Sequence, residues 1–548
     1  MRALPTHLPK PRAEHLAVLA SVKYDLLIVG GGITGAATTR DATMRGLKVA
    51  CVEKTDFAYG TSSRSSKLVH GGLRYLEQMK LKLVFEGTQE RATVQGNAPH
   101  LVKPLAFVMP SFVGDRHGPR KIGIGLWLYD QLAGRRRYGR HQRFDREAFR
   151  ALEPTVRDEG LVGGALYYDC MTDDARLVIE TVIDAERGGA TILNYCRYLA
   201  PIRDGEGRIV GARVEDGLTG TQYEVQCRVL VHCAGPWTDE VLAQGEPGKA
   251  PMIRTTKGVH LCIPAARLPV RHAVVMTARR DRRVIFAIPW GRVTLVGTTD
   301  TDYTGSPDAV AATRDDVDYL KETLAHTFPS HPIGDEDVIA TYAGLRPLVR
   351  DDANSPYDTS REHTVLTSPD GRVTISGGKL TTHRRMAHDV VVAAMELLGM
   401  PKRQQPKCPT AKAALPGAQG FDLAQDVAPA VAHLVARGAP DDVAEWLVNR
   451  YGARWSEMDG ALSERLVPGL PFTVAEADHA MVFEHARTLE DVLIRRLPVY
   501  YEAPEQGLEC VDHLAARMAS QLGWDAAQSA AHIQRYRDTV ARSRAWRT

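Results

Sequence analysis

The chain has 548 residues, more than one hydrophobic core organises, so two or three domains are expected. Hydrophobic residues make up 44% and charged residues 25%, an ordinary globular balance with enough apolar material to enclose a large ligand. The formal net charge of +3 provides no basic field for nucleic acid, so none is expected as a partner and any anion must be recognised locally.

The eight cysteines, Cys51, Cys170, Cys196, Cys227, Cys233, Cys262, Cys408 and Cys510, form no C-x-x-C pair and are scattered. That pattern argues against a metal site and against a disulfide framework, and suits a reducing, cytoplasmic location. The first 22 residues carry prolines and charges where a signal peptide would have an apolar core. No apolar stretch of about 18 residues occurs anywhere, which leaves peripheral contact as the membrane option.

In chain order, residues 1–22 read as a poorly ordered extension. Tyr24 to Val29 is a short apolar run stopped by glycines, as in a buried parallel strand. A helix from about Gly32 to Arg45 and a strand from Lys48 to Glu53 complete a βαβ opening. Two later strands, Arg228 to Cys233 and Arg372 to Ser376, also end at glycines. Arg283 to Thr299 alternates in two pieces around Trp290-Gly291, the pattern of an antiparallel hairpin.

The predicted fold class is therefore α/β: a Rossmann-like nucleotide-binding domain, discontinuous over 23–105, 160–258 and 340–400, with an antiparallel β substrate domain inserted at 106–159 and 259–339. A Pro- and Lys-rich linker at 401–416 leads to a separate all-helical domain at 417–548.

Gly30-x-Gly32-x-x-Gly35 lies between the first strand and helix. The three glycines permit a tight turn, close approach to a pyrophosphate and close helix–strand packing, and the helix N-terminus favours the phosphate charge. Glu53, 18 residues beyond Gly35, is placed to accept from ribose hydroxyls. With no second motif for a nicotinamide, and with Ala234-Gly235 and Gly377-Gly378 at further strand ends, an extended FAD is the expected cofactor. Thr61 to Lys67 offers hydroxyl and amide donors to it, or is a solvated polar loop.

The segments DLLIVGGGITGAA, TSSRSSKLVHGGLRYLE, YYDCMTDDARLV, the GPW after VLVHCA, TKGVHL, IPWGRVTLVGTTDTDYTG, GLRPL and SGGKLTTHRRMA together closely resemble the aerobic, FAD-dependent glycerol-3-phosphate dehydrogenases. LPGA, NRYG and HARTLEDVLIRRL resemble that family's helical cap, so the likeness runs from about residue 23 to 500. It implies oxidation of sn-glycerol 3-phosphate to dihydroxyacetone phosphate by hydride transfer from carbon 2 to flavin N5. Electrons would then pass to a membrane quinone at the inner face of the cell membrane. A homodimer is compatible with it. Two alternatives stay open: an oxidase of another 2-hydroxy acid or amine using oxygen, and a flavoprotein without turnover.

The resemblance fills out the site. Noncovalent FAD is expected against Gly30, Gly31, Gly32, Ile33, Thr34, Gly35, Glu53 and Lys54; against Thr61, Ser62, Ser63, Ser66, Leu68, His70, Gly71 and Gly72; and against Ala234, Gly235, Trp237, Gly377, Gly378, Lys379, Leu380 and Thr381. Arg74, Arg346 and Arg361 match the substrate-contact blocks and suit a phosphate dianion. The carbon-2 hydroxyl must lose a proton, for which His70 and His260 are the candidates, His70 first because glycines follow it. Lys379 would reach the substrate or the flavin edge from the start of a helix. The chain departs from the family at His383, where a tyrosine is usual.

Lys121 to Arg140 sets Ile122, Ile124, Leu126, Trp127, Leu128 and Tyr129 beside Arg135, Arg136, Arg137 and Arg140. It reads either as a surface for anionic lipid or as a buried helix followed by a solvated charge run.

Overall fold

The computed structural model describes residues 10–548 apart from 116, 117, 247, 249 and 351–361. Its centre is the strand Tyr24–Val29, in which Leu26, Leu27 and Ile28 have no exposed surface. Val49–Val52 pairs on one side of it and Gln222–His232 on the other, both parallel, with Thr191–Leu193 and Arg372–Gly377 parallel beyond them. The alternation of a strand sends Leu26 and Ile28 to one face, against Ala36, Val178 and Val390 of the helices Ile33–Met44, Asp174–Arg187 and His383–Leu397. Leu27 and Val29 point to the other face, against Leu16, Leu19, Tyr198 and Val214. Burial on both faces is why the run is apolar without alternation.

That second face corrects the reading of the N-terminus. Arg12–Ser21 is a helix, with Leu19 fully buried and Arg12 bonded to Asp216 at 2.6 Å. Pro11 stands at the helix start, where proline costs nothing.

Among the described residues the second sheet has 10 strands. Two of its longer strands, Leu161–Met171 and Ala340–Val349, lie wholly in segments that the sequence grouped with the nucleotide-binding domain. Here they pair with Lys103–Phe112 and Ile253–Pro264 respectively. Strand partners so distant in sequence are chosen by tertiary contact, which local pattern does not report. The hairpin at Trp290-Gly291 forms from Val284–Trp290 and Val293–Gly297.

Residues 401–416 run along the helices rather than away from them: Arg40 donates to the Ala413 carbonyl at 2.9 Å and Asn97 to that of Thr410 at 2.8 Å. Beyond them the chain is helical, from Leu423–Ala436 to Ala526–Arg544. It is not separate. Leu489, Val492, Tyr501 and Val511 share one core with Phe107, Trp290 and Leu295 of the second sheet. At Asp491–Arg496 a single wide turn directs Arg495 and Arg496 onto Asp56, just beyond the strand Val49–Val52. Asp56 is fully buried. Burial would raise its pKa, but Arg496 and Arg495 together hold it well below the usual carboxylate range.

Removing one partner of such a cluster leaves buried charge uncompensated, at about 3–5 kcal/mol. Asp56→Asn is therefore expected to lower the unfolding midpoint in a thermal melt by several degrees and to keep a single transition. An unchanged midpoint, or a separate early transition of the helical segment, contradicts this coupling.

Candidate active site

Gly30 has φ 112°, which glycine alone adopts without strain. Gly35 packs so close to the strand that a Cβ would stand 1.8 Å from the Gly30 carbonyl oxygen. Glu53, at the end of the second strand, accepts from Gly31 N at 2.7 Å and from Thr55 N at 2.9 Å. Burial raises its pKa and these amides oppose the rise. Ser62 Oγ accepts from Ile33 N at 3.0 Å and so closes the first turn of the helix.

A cavity of about 1000 Å³ opens from this turn, at the upper end of small-molecule sites. Gly30, Gly32, Ile33, Thr34, Glu53 and Lys54 line one end, followed by Thr61, Ser62, Ser66 and Leu68, then Ala234, Gly235 and Trp237. Gly377, Gly378, Lys379, Leu380 and Thr381 line it as well. His70, Gly72, Arg74, His260 and Arg346 line the far end.

Four expected residues lie behind this wall. Gly31 packs against Phe57 and the Glu53 side chain, and Gly35 against the strand. Ser63 is buried and its carbonyl accepts from Lys67 and Tyr501. Gly71 N donates to Asp169 at 3.1 Å, with Tyr129 and Thr88 packed on its Cα. Arg361 falls outside the described residues.

His70 is pinned by its backbone: its N–H donates to Thr381 Oγ1 and its carbonyl accepts from the same hydroxyl, both at 3.0 Å. His260 is held by its ring. It stacks on Tyr342 with 4.7 Å between centroids, and Nε2 meets Ser66 Oγ at 2.9 Å. Gly297, its partner across the sheet, leaves room for the imidazole, since a Cβ there would stand 2.2 Å from Cδ2. Burial, then Arg346, then Lys67 push its pKa down to about 3. Lys379 Nζ lies 3.8 Å from the centroid of Tyr75. His383 turns inward, its Nδ1–H donating to the Leu380 carbonyl at 2.7 Å, so the departure from the family lies behind the wall.

The sequence did not single out Arg283, Thr298, Asp300, Tyr75 or Asp169, all of which line the cavity. Tyr75, Asp169, Thr298 and Asp300 sit inside the resembling segments HGGLRYLE, YYDCMTDD and VGTTD, the one signal available. Lys121, Ile122, Ile124 and Leu128 of the helix Pro119–Ala133 line the cavity as well. Outside the cavity, Asp41, His388 and Cys408 approach one another closely, but Arg45 already donates to Asp41 and His388 there.

The cavity fits FAD on three grounds. Glycines at three strand ends admit a long ligand close to the backbone, and a carboxylate stands at the ribose position. Trp237 Nε1, Ser376 Oγ and His260 Nδ1 are also buried in its wall without a partner among the described residues, groups that a polar ligand would satisfy.

Comparison with known proteins agrees. Residues 25–387 match the FAD dependent oxidoreductase model, and 408–529 match the C-terminal domain of alpha-glycerophosphate oxidase. Aerobic glycerol-3-phosphate dehydrogenase of Staphylococcus haemolyticus is 40% identical over 443 residues, 79% of each chain. Glycerol-3-phosphate dehydrogenase 2 of Mycobacterium tuberculosis is 37% identical over 536 residues, 96% of this chain and 90% of the relative. The chain belongs to the FAD-dependent glycerol-3-phosphate dehydrogenase family. The structure of a family member from Bacillus halodurans, complexed with FAD, covers 97% of both chains at a TM-score of 0.81 and 29% identity. The protein is thus an oxidoreductase with FAD as its cofactor.

Gly35→Ala drives a methyl group into the Gly30 carbonyl and displaces the phosphate turn. The purified variant is expected to lack the visible flavin band, and a full flavin complement would contradict this role for the turn.

Proposed function

We propose that the protein oxidises sn-glycerol 3-phosphate to dihydroxyacetone phosphate and passes the electrons to a membrane quinone. The observation that carries this is the convergence of Arg74, Arg346, Lys379 and His260 at one end of the cavity whose other end carries the nucleotide turn. FAD supplies the hydride acceptor, N5, for the hydrogen on carbon 2.

The protein's own groups do the rest. Arg346 and Arg74 hold the phosphate dianion, with Arg361 as a third candidate. His260, rather than His70, takes the hydroxyl proton at Nε2, beside Ser66 Oγ. Its pushed-down pKa keeps the imidazole neutral and able to accept, and the charge of a bound phosphate acts in the opposite direction, raising its basicity. Lys379 supplies a cation where negative charge develops.

No helix among the described residues is long and apolar enough to cross a membrane. The helix Pro119–Ala133 lines the cavity, Ile124 included, and exposes Ile124 and Trp127 at 67% and 55%. Met79, at 74% exposure, also lines the cavity and is apolar and solvent-facing. With the nearby arginines, these residues support peripheral contact with an anionic membrane at the cytoplasmic face, where a quinone is reached.

Arg346→Ala is expected to raise KM for glycerol 3-phosphate by roughly 10- to 100-fold with FAD content unchanged, the loss of charged hydrogen bonds. A lost flavin band instead would place Arg346 at the cofactor. His260→Gln is expected to slow anaerobic flavin reduction by on the order of 10²-fold or more. In the unaltered protein the acid limb of that rate should lie below 6.5, because the lowered pKa preserves the accepting form as pH falls. A limb at or above 6.5 that survives in His260→Gln would assign the proton to another group.

A further inference from the structure

Arg346 is fastened to the loop after the strand Val293–Gly297. Its Nη1 donates to Asp300 Oδ1 at 3.0 Å, and its Nη2 to Thr298 Oγ1 and the Thr299 carbonyl, each at 3.2 Å. The loop is itself fixed from two directions. Val259 N donates to Thr299 Oγ1 at 3.0 Å, and Arg283 Nη1 donates to the Asp300 carbonyl. Gly258 provides the space for the guanidinium, because a Cβ there would stand 2.5 Å from both Arg346 Nη2 and Thr298 Oγ1. These groups occupy adjacent positions of the sheet: Arg346 faces Thr256 across the ladder and leans over Gly258.

Asp300 is 7% exposed and lines the cavity together with Arg346, Arg283 and Arg74. A carboxylate beside a site for a phosphate dianion works against anion binding by its charge alone. It is nevertheless built in. Burial disfavours the charged form of Arg346, and Arg74 and Arg283 repel it, while Asp300 opposes all three. A guanidinium stays protonated, so without a counter-charge it would relieve this repulsion by moving rather than by deprotonating.

On the reading of Arg346 as a phosphate ligand, we propose that Asp300 is its positioning residue: the carboxylate, on a backbone that Arg283 fixes through the Asp300 carbonyl, holds the Arg346 guanidinium at the wall so that its remaining N–H groups face the phosphate. The loop leaves the Nε hydrogen and the second Nη1 hydrogen of Arg346 for that contact.

Charge and position make opposite demands of Asp300→Asn. Loss of a mere nearby charge lowers KM for glycerol 3-phosphate. Loss of positioning raises it, by about tenfold with kcat within about twofold, since an interaction made equally in ground and transition states is removed. Weaker competitive inhibition by inorganic phosphate should accompany the rise, with the flavin spectrum unaltered. Arg346→Lys serves as the companion variant, and Asp300→Asn is expected to add nothing further to KM in that background. A KM raised in Arg346→Lys but unchanged or lowered in Asp300→Asn overturns the positioning role alone. A KM unchanged in Arg346→Lys removes the phosphate reading and this inference with it. Should Asp300→Asn not fold, Asp300→Ser makes the same comparison, with the same result expected and the same result fatal.

Discussion

Ion pairs are buried behind the walls of the cavity, and the contact of Asp56 with Arg495 and Arg496 ties the helical segment to the turn beyond the strand Val49–Val52. Asp56 lies three residues beyond Glu53, so the ribose-facing end of the cavity depends on a turn more than four hundred residues away. A second pair, Lys67 with Asp174 at 2.6 Å, stands behind the substrate end. Lys67 Nζ lies 4.9 Å from the ring of Trp290 and 4.8 Å from that of Tyr501, and Tyr501 packs edge-on against Tyr342, the ring on which His260 stacks. Contributions from the second sheet and the helices thus converge on one imidazole.

Electrostatics divides the cavity in the same way. Carboxylates are committed to backbone amides at the nucleotide end and to guanidinium at the other. Lys67 and Arg346 face the one group that has to stay uncharged, and with burial they keep His260 neutral. Such a field attracts a dianion and tolerates a proton acceptor side by side, which a site of unshielded cations in water would not achieve.

Much of this was legible in the sequence. The strand Tyr24–Val29, the helix after it and the hairpin at Trp290-Gly291 lie where apolar runs and glycines put them, since each is set by local periodicity. Glycines that must face a ligand and glycines that must face a strand look alike in sequence, which is why Gly35 and Gly71 stand behind the wall while Gly30 and Gly72 stand in it. The helix Arg12–Ser21 is short and follows a proline-rich stretch, which masks it in the sequence. The membership of Leu161–Met171 and Ala340–Val349 in the second sheet, and the fusion of the helical segment with it, follow from partners far away in the chain. Asp300 and Arg283 carry no signature of their own, because their significance is their contact with Arg346.

The central claim joins one cofactor to one substrate, and an anaerobic visible spectrum of the purified holoprotein before and after addition of glycerol 3-phosphate tests it most directly. The account expects the oxidised flavin band to bleach on mixing, and glycerol without phosphate to leave it unchanged. A flavin band that stays oxidised with glycerol 3-phosphate would contradict the proposed substrate while leaving the FAD fold in place.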